Sequence, residues 1–306
     1  MYKVLITGGN GFLGRNLINF LLAKTDYKII AIVRSKNQAP SVLNKRLQIV
    51  YHDLRNAFDD QHSEEIGDVD YIIHFAGATN IKKSIIGPID FVMDNILGTA
   101  NLLEYVRYNS KKLKQFLYFN TAEVFGYAPT GTIFKEDDMP RPSSPYAASK
   151  IAAQDLCMAY KNTYNIPVIV TYAMNIFGPY QSSEKFIPLI IKKITKEEKV
   201  NICLNIEKTT PNRRNYLHVE DLCDAILFLF EHGISGEKYN ISAESESDNL
   251  KIAQIIAKLL NKELKWELIE QDSNSLALPR LSGEKLYKLG WRQKKTLKEG
   301  LKEMIE

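Results

Sequence analysis

Tyr146 and Lys150 are the two residues of this 306-residue chain whose types and spacing most directly indicate proton chemistry. They are one helical turn apart, so a helix places both side chains on the same face. A phenol has an ordinary pKa of about 10 and is a poor base at neutral pH. A neighbouring ammonium group stabilises the phenolate and lowers that pKa. Tyr146 could then remove the proton of a hydroxyl group while the carbon that bears it is oxidised.

Three glycines near the start of the chain have the spacing of a phosphate-binding loop. They follow a short apolar segment and open a segment with helical apolar spacing. Glycine permits a tight turn and the close approach of a pyrophosphate, and a helix N-terminus adds a favourable dipole. The loop predicts a dinucleotide cofactor, whose positive nicotinamide would also stabilise a Tyr146 phenolate and whose ribose Lys150 could hold. The residues expected at the cofactor in this loop are Gly8, Asn10, Gly11, Phe12, Leu13 and Gly14.

The end of the second predicted strand bears on which dinucleotide binds. In NAD-binding proteins an acidic residue there accepts a hydrogen bond from the ribose 2′-hydroxyl. This chain carries Arg34 and Ser35 instead. Arg34 could pair with a 2′-phosphate, which favours NADP over NAD. Alternatively, Arg34 stacks on the adenine of NAD. Asp53, next to Leu54 after the third strand, either binds the adenine amino group or is a solvated turn residue.

Short apolar segments alternate with helical patterns over the first half of the chain. This alternation predicts an α/β fold, a Rossmann-type doubly wound parallel sheet with helices on both faces. The strands are predicted at residues 4–6, 29–33, 47–51, 71–75, 116–119 and 168–172, and the helices at about 12–22, 91–108 and 146–164.

The pattern changes after residue 175, which predicts a smaller mixed α/β substrate lobe. The dinucleotide-binding domain is expected to comprise residues 1–175 and about 213–242, and the substrate lobe about 176–212 and 243–306. A polar segment at 209–214 is expected to be a loop. The other predicted elements are helices at about 187–196, 219–230 and 250–260 and strands near 200–204 and 238–241.

Composition excludes several other classes of protein. The net charge of +4 is small and no basic block occurs, so a nucleic-acid partner is not expected. The three cysteines are widely spaced without a CxxC pair, so neither a disulfide framework nor a metal site is predicted, and Cys157 and Cys223 are expected in the core. No apolar segment reaches membrane-spanning length and no signal peptide opens the chain. We therefore expect a cytoplasmic enzyme.

Several motifs together resemble the extended short-chain dehydrogenase/reductase family, and within it the nucleotide-sugar epimerases and the dTDP-glucose and GDP-mannose 4,6-dehydratases. The resemblance covers nearly the whole chain. It is carried by TGGNGFLG at 7–14, HFAG at 74–77, the pattern from Asn95 to Leu102, the Tyr146 and Lys150 pair, NIFGPY at 175–180, EKFIP at 184–188 and RNYLHVED at 214–221.

The resemblance implies roles for further residues. Thr121 would bond the sugar 4-hydroxyl and pass its proton to Tyr146. Phe75, Ala76, Gly77 and Asn95 would belong to the cofactor site. A nucleotide-diphosphate sugar would be held by Thr79, Asn175, Lys185, Phe186, Arg214 and Arg280, of which Asn175 and Arg214 would bind its diphosphate.

Glu123 bears on which reaction follows oxidation at C4. In the related dehydratases, the resemblance implies that a glutamate here removes the C5 proton, which the C4 ketone acidifies. The dTDP-glucose enzymes carry an aspartate just before it, where this chain has Ala122. GDP-mannose dehydratases lack that aspartate and use NADP, but some epimerases and decarboxylases share this pattern, and Glu123 could instead orient backbone. The segment 272–280 lacks the Arg-Pro-Gly-His-Asp pattern usual in dehydratases.

The leading hypothesis is therefore an NAD(P)-dependent 4,6-dehydratase or epimerase of a nucleotide-linked hexose. An NADPH-dependent 4-ketosugar reductase is the alternative within the same fold, and a non-catalytic dinucleotide sensor or scaffold is the alternative of another class. The family commonly forms dimers through two helices, at about 91–108 and 146–164 here, so a homodimer is expected.

Overall fold

The structure, a computed structural model, describes residues 1–35, 42–127, 131–205, 207–270 and 280–306. Its strands are β1 (Lys3–Thr7), β2 (Lys28–Val33), β3 (Leu47–Tyr51), β4 (Tyr71–His74), β5 (Gln115–Thr121), β6 (Ile133–Phe134), β7 (Val168–Ala173), β8 (Ile176–Phe177), β9 (Val200–Cys203), β10 (Arg213–Arg214), β11 (Leu217–His218), β12 (Lys238–Ile241), β13 (Ser247–Asp248), β14 (Trp266–Ile269) and β15 (Arg280–Leu281).

Helices connect and cover these strands. The α-helices are α1 (Phe12–Lys24), α2 (Asp60–Ile66), α3 (Ile81–Ile86), α4 (Pro88–Phe91), α5 (Gly98–Asn109), α6 (Pro145–Tyr164), α7 (Phe186–Thr195), α8 (Val219–His232), α9 (Asn249–Leu259), α10 (Glu284–Leu289) and α11 (Leu297–Glu303). A π-helical segment, Val92–Leu97, joins α4 to α5, and a 3-10 turn, Ala122–Phe125, follows β5.

Seven strands form one parallel sheet in the order β12-β7-β5-β4-β1-β2-β3. Their apolar residues are buried on both faces, as expected for a sheet covered on both sides. The chain runs outward from β1 to β3 and then returns to add β4 on the other side of β1. Ligands of such sheets bind where the strand order reverses, outside the carboxyl ends of the strands. The predicted doubly wound fold is confirmed.

Two hydrophobic layers enclose the sheet. Val4 and Ile6 of β1 face the layer under α1 and α8, whereas Leu5 faces the layer under α5 and α6. The alternation follows from the two-residue period of a strand. Cys223 and Cys157 are buried in these two layers, as the sequence predicts.

A third apolar cluster lies outside the large sheet. It joins α7, α9 and α11 with the parallel pair β9 and β14, and includes the buried Ile190, Ile256 and Leu301. The domain boundaries given above stay a prediction. Among the described residues, none of the helices combines the length and apolar character needed to cross a membrane.

Two local predictions were wrong. The segment 91–108 is not one regular α-helix, because its first part is π-helical and α5 begins only at Gly98. The segment 209–214 is not wholly a loop, since Arg213 and Arg214 pair antiparallel with β13. In both places, contacts with residues distant in sequence override the local pattern.

Candidate active site

The glycine loop after β1 has room for backbone only. Gly8 adopts φ +70°, and a Cβ on it would lie 3.0 Å from the Ala76 amide nitrogen. A Cβ on Gly14 would overlap the Gly8 carbonyl oxygen and lie 2.8 Å from Gly9 Cα. Gly11 precedes α1 as its N-cap and offers no side-chain cap. The first turn of α1 is therefore open to an anion such as a pyrophosphate, which fits the predicted cofactor.

The other predicted loop residues contribute differently. The Asn10 carbonyl accepts a hydrogen bond from Arg15 Nε at 2.9 Å, which braces the loop against α1. Phe12 and Leu13 are half-buried and pack against the apolar layer under α1. Their side chains thus anchor the helix, while their backbone lies in its first turn.

The predicted adenosine contacts lie at the ends of β2 and β3. Arg34 is 59% exposed and forms an ion pair with Asp94, with Nη1 and Oδ1 separated by 3.7 Å. Ser35, beside it, is half-buried. Asp53 Oδ1 accepts from the Arg55 amide at 3.0 Å, and the Leu54 carbonyl accepts from Asn101 at 2.7 Å. These two bonds fix the turn after β3.

Asn95 ties the loop after β4 to α6. Its buried amide accepts from the Ala78 amide at 2.7 Å and donates to the Ser149 hydroxyl at 2.8 Å. A Cβ on Gly77 would lie 2.5 Å from Asn95 Oδ1, so a side chain there would displace the Asn95 amide. The amide is engaged by protein groups, and in this structure Asn95 acts by positioning the loop and the helix.

A buried histidine at the end of β4 also helps to fix the loop that follows this strand. The His74 ring lies between the Thr7 and Thr99 hydroxyls, at 2.6 and 2.9 Å, and burial lowers its pKa to about 3. The Ala76 amide also donates to Thr7, and the Phe75 ring packs edge-on against Phe119 with centroids 5.1 Å apart. The neutral imidazole thus links β1, β4 and α5 under the predicted cofactor site.

Tyr146 lies at the start of α6, where Ser144 caps the helix through the Ala147 amide at 3.2 Å. The Thr121 side chain at the end of β5 lies close enough to the Tyr146 hydroxyl to interact with it, which brings together the two residues of the predicted proton relay. Burial raises the Tyr146 pKa well above its ordinary value, and the Glu123 charge raises it further.

Lys150 lies on the same helix as Tyr146 but bonds to β5, and its predicted effect on the Tyr146 pKa in the presence of a nicotinamide stays a prediction. Lys150 Nζ donates to the Phe119 carbonyl at 2.7 Å and lies 4.3 Å from the centroid of the Tyr118 ring. Burial lowers the Lys150 pKa to about 7. Desolvation therefore outweighs attraction between the two groups, and it disfavours both the phenolate and the ammonium.

Glu123 lies in the turn that follows Thr121, and its amide donates to the Thr121 hydroxyl at 3.3 Å. Burial raises the Glu123 pKa, while the charges of Arg214 and Lys185 oppose this effect. Glu123 thus faces both the predicted relay and two of the predicted substrate residues. The preceding Ala122 is completely buried in the apolar layer.

The predicted diphosphate contacts lie around an acidic residue that the sequence analysis missed. Glu246 accepts from Arg213 Nε at 2.8 Å and forms an ion pair with Arg280 Nε at 3.5 Å. Burial lowers the pKa of Arg214, the residue after Arg213, and the nearby charge of Glu246 opposes this effect. The position of Glu246 just after β12, at the carboxyl edge of the sheet, was the available signal.

Asn175 shares the features of a ligand-binding residue. It adopts φ +50°, and its buried Nδ2 has no hydrogen-bond partner among the described residues. Such a donor is costly to leave unsatisfied. An anionic ligand oxygen would satisfy it.

The remaining predicted substrate residues lie at the rim. Lys185 is the N-cap of α7, and the ring of the next residue, Phe186, stacks with Tyr216 at a centroid distance of 6.3 Å. Tyr216 was not predicted. Thr79 is exposed just before α3. The sequence expectation for residues 272–279 lies outside the described residues.

Comparisons with known proteins agree with this geometry. Residues 4–242 match the model of the NAD dependent epimerase/dehydratase family. The chain belongs to this family. The family predicted from the sequence motifs is therefore confirmed.

Similar proteins cover nearly the whole chain. A dTDP-D-glucose 4,6-dehydratase of Bos taurus is 30% identical over 99% of this chain and 88% of its own length. A trifunctional UDP-glucose 4,6-dehydratase of Arabidopsis thaliana is 31% identical over 99% of this chain, which spans 46% of that relative. A crystal structure of a dTDP-glucose 4,6-dehydratase from Streptomyces venezuelae with NAD bound has a TM-score of 0.86 and 28% identity, covering 99% of this chain and 95% of that chain.

We expect Gly14→Ala to weaken dinucleotide binding at least about tenfold, because the new methyl group meets fixed backbone rather than a movable side chain. Titration calorimetry with NAD and NADP measures this loss. Gly87→Ala is the matched control, since its methyl group finds only ordinary contacts, the nearest 3.6 Å away. Equal binding by Gly14→Ala and the original chain would show that the loop does not hold the cofactor.

Proposed function

We propose that this protein is a nucleotide-sugar 4,6-dehydratase that oxidises C4 of an NDP-hexose transiently. The observation that carries the proposal is the convergence of Thr121, Tyr146 and Glu123, with the Glu123 carboxylate facing Arg214. A base for the C4 hydroxyl and a second base for the neighbouring carbon are both needed for elimination. The chain's membership of an epimerase/dehydratase family supports the same class of enzyme.

Charge supports a diphosphate as the group that anchors the substrate. Arg213 and Arg280 pair with the carboxylate of Glu246, and the charge of Glu246 also acts on the buried Arg214. These four groups sum to a net charge of +2, and the nearby Glu123 and Lys185 cancel each other. The diphosphate of a nucleotide sugar carries one negative charge on each phosphate and would balance this excess. Arginine forks and the free Asn175 amide suit phosphate oxygens.

The proposed proton path follows from the positions of these side chains. Thr121 lies beside the Tyr146 hydroxyl and would pass it the proton of the sugar C4 hydroxyl. When bound, a nicotinamide dinucleotide supplies hydride acceptance from C4 and its return to the sugar. Glu123 would then remove the acidified C5 proton and would pass it to the C6 hydroxyl, which leaves as water. Return of hydride to C6 and of a solvent proton to C5 would complete the 4-keto-6-deoxy product. Because burial holds the Glu123 pKa above its usual value, this carboxylate is a stronger base than a solvated one.

Lys150 would hold the nicotinamide ribose near Tyr146. Burial lowers the pKa of Lys150, so Nζ holds its proton less firmly than that of an exposed lysine. The Lys150 ammonium already donates one hydrogen bond from Nζ to the Phe119 carbonyl. It could donate a second to a hydroxyl of the nicotinamide ribose.

The cofactor proposed is NADP, and NAD is the alternative. Arg34, exposed at the end of β2, supplies the cation that a 2′-phosphate requires. The solved relative from Streptomyces venezuelae contains NAD. A nicotinamide dinucleotide is therefore proposed in either case. The preference for the form with a 2′-phosphate rests on Arg34 alone.

A 4-epimerase is the second candidate. Ala122 is buried in the apolar layer, so the turn carries one carboxylate, Glu123, where the dTDP-glucose dehydratases are expected to carry two. Epimerisation at C4 needs no acid to assist departure of water from C6. A 4-ketosugar reductase would differ from both by consuming NADPH.

Two variants test the assigned roles. Tyr146→Phe is expected to lower turnover at least about a hundredfold, because removal of a positioned base costs 10²–10⁴-fold, while dinucleotide binding is retained. Glu123→Gln is expected to oxidise C4 but to block elimination. Mass spectrometry of UDP-, dTDP-, GDP- and CDP-hexose reactions, with solvent deuterium incorporation at C5, separates the two steps.

Controls and contrary outcomes are defined by the products. Thr209→Ala, on the exposed 207–210 turn, is the matched control and is expected to retain the turnover of the original chain. A C4-epimerised product would favour the second candidate, and stoichiometric NADPH consumption would favour the reductase. Unchanged function of Tyr146→Phe would favour the non-catalytic sensor or scaffold.

We propose further that the protein is a homodimer formed through α5 and α6. Tyr108 is 63% exposed near the end of α5, and Tyr164 is partly exposed at the end of α6. Arg107 lies over both rings, 4.9 and 3.9 Å from their centroids. The two rings and the Arg107 guanidinium form a continuous surface across the two helices. Cytoplasmic localisation stays a prediction.

Light scattering is expected to give twice the chain mass of 34.9 kDa. The double variant Tyr108→Glu with Tyr164→Glu is expected to give the mass of one chain, because charges in an apolar interface are not solvated. Trp266→Glu, an exposed aromatic on β14, is the matched control and should remain dimeric. A monomeric original chain would contradict the proposed dimer.

A further inference from the structure

The carboxylate of Asp94 lies between two guanidinium groups at the carboxyl edge of the sheet. Arg55 Nε donates to Asp94 Oδ1 at 2.6 Å, and Arg34 Nη1 lies 3.7 Å from the same oxygen. Arg34 follows β2 and Arg55 lies four residues after β3. Side chains from two neighbouring strand ends therefore meet on one residue of the π-helical segment.

The two ion pairs are unequal. Arg55 makes a short hydrogen bond to Asp94, which raises the Arg55 pKa. Arg34 is 59% exposed and has only the longer contact. Exposed ion pairs of this length contribute little free energy. Arg34 can therefore turn toward another anion at small cost, whereas Arg55 remains bound to Asp94.

We infer that Asp94 sets the selectivity between NADP and NAD by competing with the cofactor's 2′-phosphate for Arg34. The inference rests on the proposed function, in which Arg34 faces the ribose. A 2′-phosphate beside Arg34 would approach the Asp94 carboxylate and be repelled by it. A 2′-hydroxyl carries no charge and meets no such repulsion. Asp94 thus lowers affinity for NADP more than affinity for NAD.

The surrounding charges support this role. Asp90 Oδ1 lies 3.3 Å from Arg55 Nη2, so the two arginines and the two aspartates sum to no net charge. Asp53, whose charge also acts on Arg55, adds one negative charge. Neutralising Asp94 would therefore bring the whole group to no net charge and remove the carboxylate that is paired with Arg34. Asp90 is 71% exposed, and the described contacts join it to Arg55 rather than to Arg34. Asp90 is therefore the matched control.

The experiment measures the dissociation constants of NADP and NAD for the full chain, freed of bound nucleotide, by titration calorimetry. Asp94→Asn, which keeps the shape and an oxygen acceptor for Arg55, is expected to raise the NADP/NAD affinity ratio about five- to tenfold. Asp90→Asn is expected to change that ratio less than about twofold. Both dinucleotides are compared on each variant, so a general loss of structure would not shift the ratio.

A double-mutant cycle identifies Arg34 as the intermediary. In an Arg34→Ala background, Asp94→Asn is expected to raise the ratio clearly less than in the original chain, because competition for Arg34 is lost and only the direct repulsion of the 2′-phosphate by Asp94 remains. A ratio that is unaffected by Asp94→Asn, or one that rises equally without Arg34, would overturn the inference while the proposed function stands. An original chain that binds neither dinucleotide would overturn both. Asp94→Ser is measured in the same way if circular dichroism shows that Asp94→Asn does not fold.

Discussion

The hydrogen bonds of one buried amide, that of Asn95, hold the proposed active site together. The amide accepts from Ala78 and donates to Ser149, so it fixes the loop after β4 relative to α6. Tyr146 and Lys150 lie on α6 within a turn of Ser149. The glycine loop packs against the same strand end. Gly8 lies so close to Ala76 that a Cβ would be 3.0 Å from the Ala76 amide nitrogen. The proposed cofactor site and the proposed catalytic groups thus share one rigid connection, and a misplaced group would lose much of its catalytic effect.

Burial determines the chemistry that this arrangement allows. Tyr146 and Lys150 both lie in a low-dielectric region, where each is driven toward its neutral form. In the proposed mechanism, Tyr146 would therefore act as a base with the help of the neighbouring Thr121 and of the positive charge of a bound nicotinamide. Opposite charges are arranged differently at the two ends of the site. Glu246 pairs with Arg213 and Arg280 at the proposed diphosphate end, whereas Asp94 pairs with Arg34 and Arg55 at the proposed adenosine end.

The sequence was sufficient for the fold and for the residue types of the site. Short apolar segments such as 29–33 and 168–172 correspond to buried parallel strands, because such strands need no polar face. Glycine positions were predictable since their backbone geometry excludes other residues. The partners of individual side chains were not. The bond from Lys150 to Phe119 and the association of Glu246 with Arg280 depend on distances between segments far apart in the chain. The π-helical turn that carries Asn95 was likewise not visible in the apolar periodicity of the segment.

The most direct test of the account follows one hydrogen atom. UDP-, dTDP- and GDP-hexoses that carry deuterium at C4 are incubated with the protein and its cofactor, and the products are analysed by nuclear magnetic resonance. Transient oxidation at C4, elimination through Glu123 and hydride return predict deuterium at C6 of a 4-keto-6-deoxy product, with no net change in cofactor oxidation state. Failure to form a product from any of these sugars, or a 4-keto-6-deoxy product without deuterium at C6, would contradict the account.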